Sequence, residues 1–346
     1  MISCFFIFKC TTLGQKIVQT IDKDSLKIIE DIELLLLQYQ EKKDIELLQN
    51  AEKKLQKMEN QAKNNRFFEA IILGIYGEIA YFRNDYITVR KNINSISSRN
   101  QREERLVLLQ AYLEKKLSQK LEILKKGLVQ AETTDRIRLF LADLLFYQAD
   151  FRQALAYYDE SFLHISNEKK EFFEKRRQLS FEFIDNPLKN NTTISIVMKD
   201  SLILKDILQI TANETDYLKN YPIKSSLITE EIVKQLKNNG YIQDVALGMD
   251  DIVKRKDIAC YLLKIVEQLE NDPGLLTKYS MKDTSLNEEV ISPVPDIRVK
   301  DYFYNAVLIL VEREIMELLD GENFFPENTM NGLHFYKILK KIMDVY

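Results

Sequence analysis

The chain has 346 residues, of which 45% are apolar and 29% charged, and its 49 basic and 53 acidic side chains leave a net charge of −4. This composition is typical of a soluble globular protein of about two domains and excludes a disordered chain. With no basic run or basic domain, the sequence predicts no nucleic-acid partner. Three Cys and two His, without partners at ligand spacing, predict neither a disulfide framework nor a metal site.

The first 23 residues contain the one stretch that could direct export. Residues 2–8 are apolar and are followed by Lys9 and Cys10, but no basic segment precedes them, as a secretory signal requires. We interpret the stretch as the end of a lipoprotein signal, with Cys4 as the lipidated residue; a helix-capping strand or a frayed terminus is the alternative. No other segment reaches the about 18 apolar residues of a membrane span, so membrane contact is expected only through such an anchor.

Residues 24–185 have helical periodicity throughout. Apolar residues recur at three- and four-residue steps, as in Leu26, Ile29 and Ile32, and Gly and Pro are scarce. The junctions between helical segments are short and polar, for example Gln148-Ala149-Asp150, so successive helices are expected to be antiparallel neighbours. The sequence therefore predicts an all-α fold of stacked helical hairpins.

Two hairpin turns in this region resemble each other. Gly77 to Tyr86 aligns with Ala142 to Phe151, and in both segments a small residue is followed nine positions later by an aromatic that opens the next helix. This combination resembles the tetratricopeptide repeat, a helix–turn–helix unit of about 34 residues. The second copy is the better one, because Ala154, Tyr158 and Ser161 provide the small, aromatic and small residues of the repeat. An unrelated helical-hairpin solenoid is the alternative.

The tetratricopeptide resemblance implies that the first helix of each hairpin lines a concave groove. In both copies an acidic residue is followed three and four positions later by two aromatics, which share its helix face. Such a face suits a protein partner that presents a helix or extended peptide with apolar and basic side chains. The residues expected to bind this partner are Glu78, Tyr81, Phe82, Arg136, Leu139, Asp143, Phe146 and Tyr147. The alternative is that some of these aromatics pack between hairpins.

Residues 186–197 break the helical pattern and are expected to be a linker, followed by a second domain over 198–346. Helices there are shorter, and two segments look like copies of one unit. The motifs that carry the likeness are Pro295-Asp296-Ile297, Asn305-Ala306-Val307, Gly321 and Phe324-Phe325-Pro326. This ordered set resembles the S-layer homology repeat, which implies a smaller helical domain that contacts the cell envelope.

The S-layer homology resemblance also implies polysaccharide binding through the Arg and Glu of a helix-start motif. A third, partial copy begins at Val197-Met198-Lys199-Asp200. In chain order the three copies place Lys199, Arg255 and Gly332 at the Arg position, and Ser201, Asp257 and His334 at the Glu position. Only the middle copy keeps a charge pair, so only Arg255 and Asp257 are carried over as polysaccharide-binding residues. The alternative is that both merely belong to a helix start, where an Asp is favourable whatever the function.

The sequence contains no recognisable catalytic arrangement. It has no glycine-rich phosphate loop and no nucleophile elbow, and its adjacent carboxylates point to different sides of a helix. We therefore expect a non-enzymatic protein without a cofactor. The leading hypothesis is a cell-envelope scaffold, periplasmic or lipid-anchored, whose groove binds a protein partner while the second domain contacts the envelope or a second partner. A cytosolic adaptor of the tetratricopeptide class, or a polysaccharide (peptidoglycan)-binding module, is the alternative.

Overall fold

The computed structural model describes residues 21–185, 188, 190–221, 223, 228–275 and 292–346. These residues form an all-α protein of stacked helical hairpins, as predicted, and contacts divide the chain into unit 1 (Met1–Asn186) and unit 2 (Pro187–Tyr346). The helices described in unit 1 are α1 (Lys23–Lys42), α2 (Ile45–Ala62), α3 (Arg66–Phe82), α4 (Tyr86–Arg99), α5 (Glu104–Leu113), α6 (Leu117–Gln130), α7 (Asp135–Tyr147), α8 (Phe151–Phe162) and α9 (Asn167–Asp185). Those described in unit 2 are α10 (Thr192–Val197), α11 (Leu204–Glu214), α12 (Glu230–Asn238), α13 (Arg255–Glu270), α14 (Tyr304–Glu312) and α15 (Gly332–Val345).

The helices of unit 1 pair as antiparallel hairpins that stack side by side. α1 pairs with α2, α3 with α4, α5 with α6 and α7 with α8, and each hairpin packs on the next helix of the chain. The odd-numbered helices also contact one another, α3 with α5, α5 with α7 and α7 with α9, and α9 packs against α1. We call these five helices the inner layer. Their arrangement is compatible with a tetratricopeptide-like solenoid that closes where α9 meets α1.

The two turns that are alike in sequence also share their backbone geometry. After α3, Asn84 has a positive φ of 61°, and after α7, Ala149 has a positive φ of 60°. In each turn the next residue, Asp85 or Asp150, donates its N–H to a carbonyl five residues earlier at 2.9 Å. This bond is that of the Schellman motif, and each Asp side chain then caps the following helix. The sequence likeness therefore reflects a shared way of ending one helix and starting the next.

Small residues bring α3 and α5 close together. A Cβ atom at Gly77 would lie 2.5 Å from the Leu109 side chain, and one at Gly74 would lie 2.5 Å from the Arg105 side chain. Ala142, the counterpart of Gly77 in the second copy, is fully buried. This close approach carries the start of α5, and with it the guanidinium of Arg105, into the inner layer.

Unit 2 is organised around the starts of α11, α13 and α15. The first N–H of each of these helices donates to a carbonyl in the segment that precedes another of them. The bonds run from Leu204 N to Asp251 O at 3.1 Å, from Arg255 N to Asn328 O at 2.8 Å, and from Gly332 N to Lys199 O at 2.9 Å. Because α11 is joined to α13, α13 to α15 and α15 to α11, the three helix starts form a closed cycle.

The helix α10 lies within the stretch that the sequence predicted to be a linker. Its apolar residues Ile194 and Val197 are buried, and it packs against α11 and α15. A Cβ atom at Gly332 would lie 2.1 Å from Ile196 O, so only glycine fits where the start of α15 meets α10. Residues 192–197 are thus a packed element of unit 2, held there by apolar burial.

The sequence placed the helix-start motif of the partial copy on Lys199 and Ser201, but the helix begins later in the structure. α11 begins at Leu204, after a residue whose φ and ψ (−93° and 164°) match those of the residue before α13 (−93° and 160°). The helix-start positions of this copy are therefore Leu204 and Asp206. Lys199 lies in the preceding turn, where its ammonium pairs with Asp206 at 2.7 Å.

Two sequence predictions concern the membrane and the cysteines. None of the described helices is long and apolar enough to cross a membrane. Cys4, the predicted lipidation site, lies outside the described residues. Cys260 on α13 is buried, as expected of a structural thiol, and burial raises the pKa of this thiol to about 12.

Candidate functional site

The inner layer of unit 1 contains a cluster of buried charges centred on Glu33 of α1. Glu33 is 5% exposed, and its carboxylate is paired with Arg105 of α5, Arg136 of α7 and Lys169 of α9. Arg105 and Lys169 donate hydrogen bonds to it, and the Nε atom of Arg136 lies 3.6 Å from its Oε1 atom. One carboxylate therefore connects α1 to three other inner helices. We call these four residues the Glu33 cluster.

The cations of the Glu33 cluster keep its carboxylate ionised. Burial by itself would raise the pKa of Glu33, because a charged carboxylate loses its hydration in the protein interior. The charges of Arg136, Arg105 and Lys169 outweigh burial and hold the pKa of Glu33 at about 2. The attachment of α1 to the other inner helices is thus electrostatic at this point.

Two predicted partner-binding residues, Glu78 and Arg136, are bonded to each other. The Nη2 atom of Arg136 donates to Oε2 of Glu78 at 2.8 Å, and Glu78 is only 1% exposed. The structure therefore brings both residues together next to Glu33, but it uses Glu78 as an internal counter-ion and not as an open acidic surface.

A second group of charges holds the C-terminal end of α1. Arg176 of α9 donates from Nη2 to Oε1 of Glu41 at 2.8 Å, and its Nη1 atom lies 3.5 Å from Oδ1 of Asp143 on α7. Asp143, another predicted partner-binding residue, accepts a hydrogen bond from the Tyr158 hydroxyl. Burial raises the pKa of Asp143, and the Arg176 charge opposes this shift. Asp143 is therefore engaged inside the layer, as Glu78 is.

A small cavity of about 50 Å³ lies between α1 and the other inner helices. Its wall combines Glu33, Arg136 and Lys169 of the Glu33 cluster with apolar side chains such as Leu37 and Phe173. Among the described atoms, Nε of Arg105 and Nη1 of Arg136 are buried without a hydrogen-bond partner. The predicted partner-binding residues on the cavity wall are Glu78, Arg136, Leu139 and Asp143. The side of α1 that faces this cavity therefore combines Glu33 and Gln40 with leucine side chains and is incompletely packed.

Aromatic rings form a row along the inner helices beside this cavity. Tyr81 stacks on Tyr112 with ring centroids 4.8 Å apart, and Phe82 lies 5.3 Å from Tyr39 of α1. Phe140 of α7 extends the row, 5.0 Å from Tyr112. All five rings are half-buried. We call them the aromatic row; two of its members, Tyr81 and Phe82, were predicted to bind a partner.

The last two predicted partner-binding residues, Phe146 and Tyr147, have different environments. Phe146 is fully buried and packs edge-on against Phe151 at 5.8 Å, which is the packing role kept as the alternative. Tyr147 is 47% exposed. It lies one helical turn beyond Asp143 on α7, on the same face, and is close enough to Arg176 to interact with its charge. Tyr147 is thus the residue of the eight that is most open to a partner.

The two predicted polysaccharide-binding residues of unit 2 are engaged in internal bonds. Arg255 is 2% exposed; its guanidinium donates to Phe324 O at 2.9 Å and to Glu317 O at 2.8 Å, and lies 4.6 Å from the Phe324 ring centroid. Asp257 accepts a hydrogen bond from the Tyr302 hydroxyl at 2.6 Å. Arg255 therefore holds the loop before α15, and a polysaccharide contact through its guanidinium would require these bonds to open.

Glu33, the acidic residue at the centre of the site, was not among the residues predicted from the sequence. Ile29, Ile32, Glu33 and Leu36 occupy positions i, i+3, i+4 and i+7 of α1, which is the apolar stripe of a packed helix. A carboxylate at a core position of that stripe is costly unless it is paired. An acidic residue at a core position of an apolar stripe was therefore the feature of the sequence that could have identified Glu33.

The described residues contain no group of three His, Cys, Asp or Glu side chains placed to hold a metal ion. No protein-family model, no curated protein and no solved structure matches the chain. The function is therefore inferred from the geometry of the site.

Proposed function

We propose that this protein is a non-enzymatic scaffold that binds a protein partner through the inner layer of unit 1. In this proposal unit 1 is a tetratricopeptide-like solenoid and unit 2 is an S-layer-homology-like domain. The repeated turns after α3 and α7 support the first assignment. The closed cycle of helix starts, which gives three similar helix–loop units, supports the second.

The observation that carries the proposal is the aromatic row. Its rings come from four successive inner helices, α1, α3, α5 and α7, and each of the five residues is only partly buried. Aromatic side chains contribute most of the binding energy at many protein interfaces, because they bury a large area and lose little side-chain entropy. A half-open row of five rings therefore offers an anchor for a partner.

The charges around the aromatic row indicate the chemistry of that partner. The Nζ atom of Lys43 lies 5.6 Å from the Tyr39 ring centroid, and that of Lys120 lies 6.0 Å from the Phe140 ring centroid. The acidic residues expected on the open face are internal counter-ions instead, as described above. The row is thus an apolar surface with an ammonium group at each end, which suits an apolar segment flanked by acidic residues and not by basic ones.

The test is capture of a partner from an extract of the native organism by the tagged full chain. Tyr147→Ala and Phe82→Ala should each lower recovery of the same partner at least about tenfold, the effect of losing a central interface residue. Ile87→Ala is the matched control, because Ile87 is an apolar residue 81% exposed on α4, outside the inner layer. Unchanged circular dichroism and melting temperature must accompany the loss. Equal recovery by all three variants, or no specific partner at all, would overturn the proposal.

The location of the scaffold in the cell envelope is a separate proposal that rests on the apolar N-terminal stretch. Mass spectrometry of the N-terminus of the native protein tests it. A mature protein that begins at a lipid-modified Cys4 supports the envelope location. A native protein that retains Met1 overturns it and favours the cytosolic adaptor.

A further inference from the structure

We propose that the contact between α1 and α9 is a gate, and that the partner is an acidic amphipathic helix that replaces α1 on the cations of the inner layer. This inference rests on the proposed function and specifies the partner. The cations are Arg105, Arg136, Lys169 and Arg176, which we call the cationic surface.

The two sides of α1 are held by different forces. On one side, Ile29 and Ile32 pack into a single hydrophobic cluster with residues of α2 and α3, and Leu36 belongs to this cluster and also lines the cavity. On the other side, the ion pairs of Glu33 and Glu41 connect α1 to α5, α7 and α9, and the cavity lies among them. Charges that separate are stabilised again by hydration, whereas apolar surfaces that separate become exposed to water at a cost in free energy. The α1–α2 hairpin can therefore stay on α3 while its ionic side opens.

The cationic surface is incompletely satisfied by α1. Among the described atoms, Nε of Arg105, Nη1 of Arg136 and Nε of Arg176 are buried without hydrogen-bond partners. A guanidinium group can bind a carboxylate through two parallel hydrogen bonds, so these nitrogens are available to a better-placed carboxylate. When α1 moves away, two of the carboxylates that balance this surface leave with it. Glu103, Glu78 and Asp143 stay paired with Arg105, Arg136 and Arg176, so the excess positive charge of the open surface is that of Lys169, and it favours an acidic segment.

α1 itself, which covers the cationic surface in the structure, shows which kind of helix fits it. Glu33, Leu37 and Glu41 recur at four-residue steps, so they form one stripe along α1. On α9, Lys169 and Arg176 are seven residues apart, and they pair with Glu33 and Glu41 respectively. A partner helix with two carboxylates about two turns apart and a leucine between them reproduces this stripe. Partner binding and gate opening are then the same event, because both helices need the same cations.

The probe is a fluorescent synthetic peptide with the sequence of residues 23–43, called the α1 peptide. Its affinity is measured for the full chain as wild type and as the double variant Glu33→Gln/Glu41→Gln, whose own α1 is loosened. Asp31→Asn is the matched control, because Asp31 lies on the α2 side of α1 and pairs with Lys54 at 2.6 Å. We expect the double variant to bind the peptide at least about tenfold more tightly than the wild type and the control do. A peptide with Gln at both Glu positions should lose that gain.

A second readout uses the wild-type protein, so the result does not depend on how well the double variant folds. Carbodiimide joins ammonium and carboxylate groups that are in contact, and Lys169 lies 4.0 Å from Glu30 on α1. Excess isotope-labelled α1 peptide should lower the yield of this Lys169–Glu30 crosslink at least about threefold, as expected if the bound peptide holds the gate open. The Lys54–Asp31 crosslink on the α2 side should not change.

The outcomes separate the gate from the scaffold function. No peptide binding, equal affinity of wild type and double variant, equal binding of both peptides, or an unchanged Lys169–Glu30 crosslink each overturns the gate. If a partner is captured through Tyr147 but the α1 peptide does not displace it, the gate fails and the scaffold function stands. If the peptide opens the gate but the extract contains no partner that depends on Tyr147, the scaffold function fails.

Discussion

The two units of this protein hold buried arginines in opposite ways. In unit 1, Arg105 is bound by the carboxylates of Glu33 and Glu103, and Arg136 by that of Glu78, with Glu33 of the distant helix α1 3.6 Å away. In unit 2, Arg255 is bound by two backbone carbonyls and an aromatic ring. A carboxylate can be exchanged for another carboxylate, whereas a buried carbonyl that loses its donor stays unsatisfied. The buried charges of unit 1 are therefore suited to an exchange of binding partners, whereas the buried Arg255 of unit 2 stabilises the fold.

The largest loss of stability is expected when the carbonyl-bound arginine is removed. Arg255→Ala leaves the buried carbonyl of Phe324 and the partly buried carbonyl of Glu317 without this donor and removes the cation from the Phe324 ring, so the free energy of unfolding of unit 2 should fall by about 4 kcal/mol. Hydrogen exchange of the α13 and α15 amides measures this loss within unit 2. Lys254→Ala is the control, because Lys254 makes only a surface ion pair with Glu327 and its loss should change the stability of unit 2 little. Similar losses in both variants would show that the carbonyl bonds of Arg255 are not architectural.

In unit 1, loss of the exchangeable carboxylate should cost less and should depend on pH. Glu33→Gln leaves the cations of the Glu33 cluster poorly compensated, and we expect a loss of about 3 kcal/mol at neutral pH. The folded pKa of about 2 lies below the reference value of 4.5, so the contribution of Glu33 is present above pH 4.5 and is lost as the pH falls toward 2. Urea denaturation at neutral and acid pH should therefore show the wild type approaching the variant in acid. A difference that does not change with pH would contradict this assignment.

A neighbouring buried acid should have the opposite pH dependence. Burial raises the pKa of Glu104 to about 7, and the attraction of Arg105 and Arg136 offsets only part of the shift, while Glu103 and Glu33 add to it. The folded pKa lies above the reference value of 4.5, so the stability at this site is complete below pH 4.5 and is lost as the pH rises through 7. Glu104→Gln, which keeps the shape without the charge, should be more stable than the wild type by about 3 kcal/mol at pH 8 and nearly equal to it near pH 4.5. A variant less stable than the wild type at pH 8 would show that the charged carboxylate of Glu104 stabilises the protein, contrary to this prediction.

The layered helices of unit 1 were predictable because their signals are local. Helical periodicity and short polar turns predict antiparallel hairpins, and the likeness of the turns at Asp85 and Asp150 is visible in ten residues of sequence. The pairing of Glu33 was not predictable in the same way, because Arg105 and Lys169 are 72 and 136 residues away from it. Only the closure of the inner layer, which periodicity does not encode, brings them together.

In unit 2 too, hydrogen bonds between residues distant in sequence determine a feature that the sequence did not predict, the start of α11. The start of α11 was assigned too early because Lys199 resembles the basic position of the motif. The actual start at Leu204 is set by its bond to Asp251, 47 residues further along the chain and outside any local pattern. Similarly, Glu78 and Asp143 were expected on an open face because the residues that pair with them lie on other helices.

The ammonium groups of Lys43 and Lys120 form a positive rim at the two ends of the aromatic row. The smallest expected effect on stability tests whether this rim recruits an acidic partner. Lys120 is near the start of α6, with its ammonium over the Phe140 ring, so Lys120→Glu should cost only about 0.5 kcal/mol of stability. If the partner is acidic, the same change should weaken its affinity about fivefold at low salt, mainly by slowing association, and this difference should shrink at high salt. Lys126→Glu reverses the same charge on the same helix at a site paired with Glu122, away from the aromatic row. An equal effect of both variants would mean that net charge, and not the rim of the aromatic row, steers the partner.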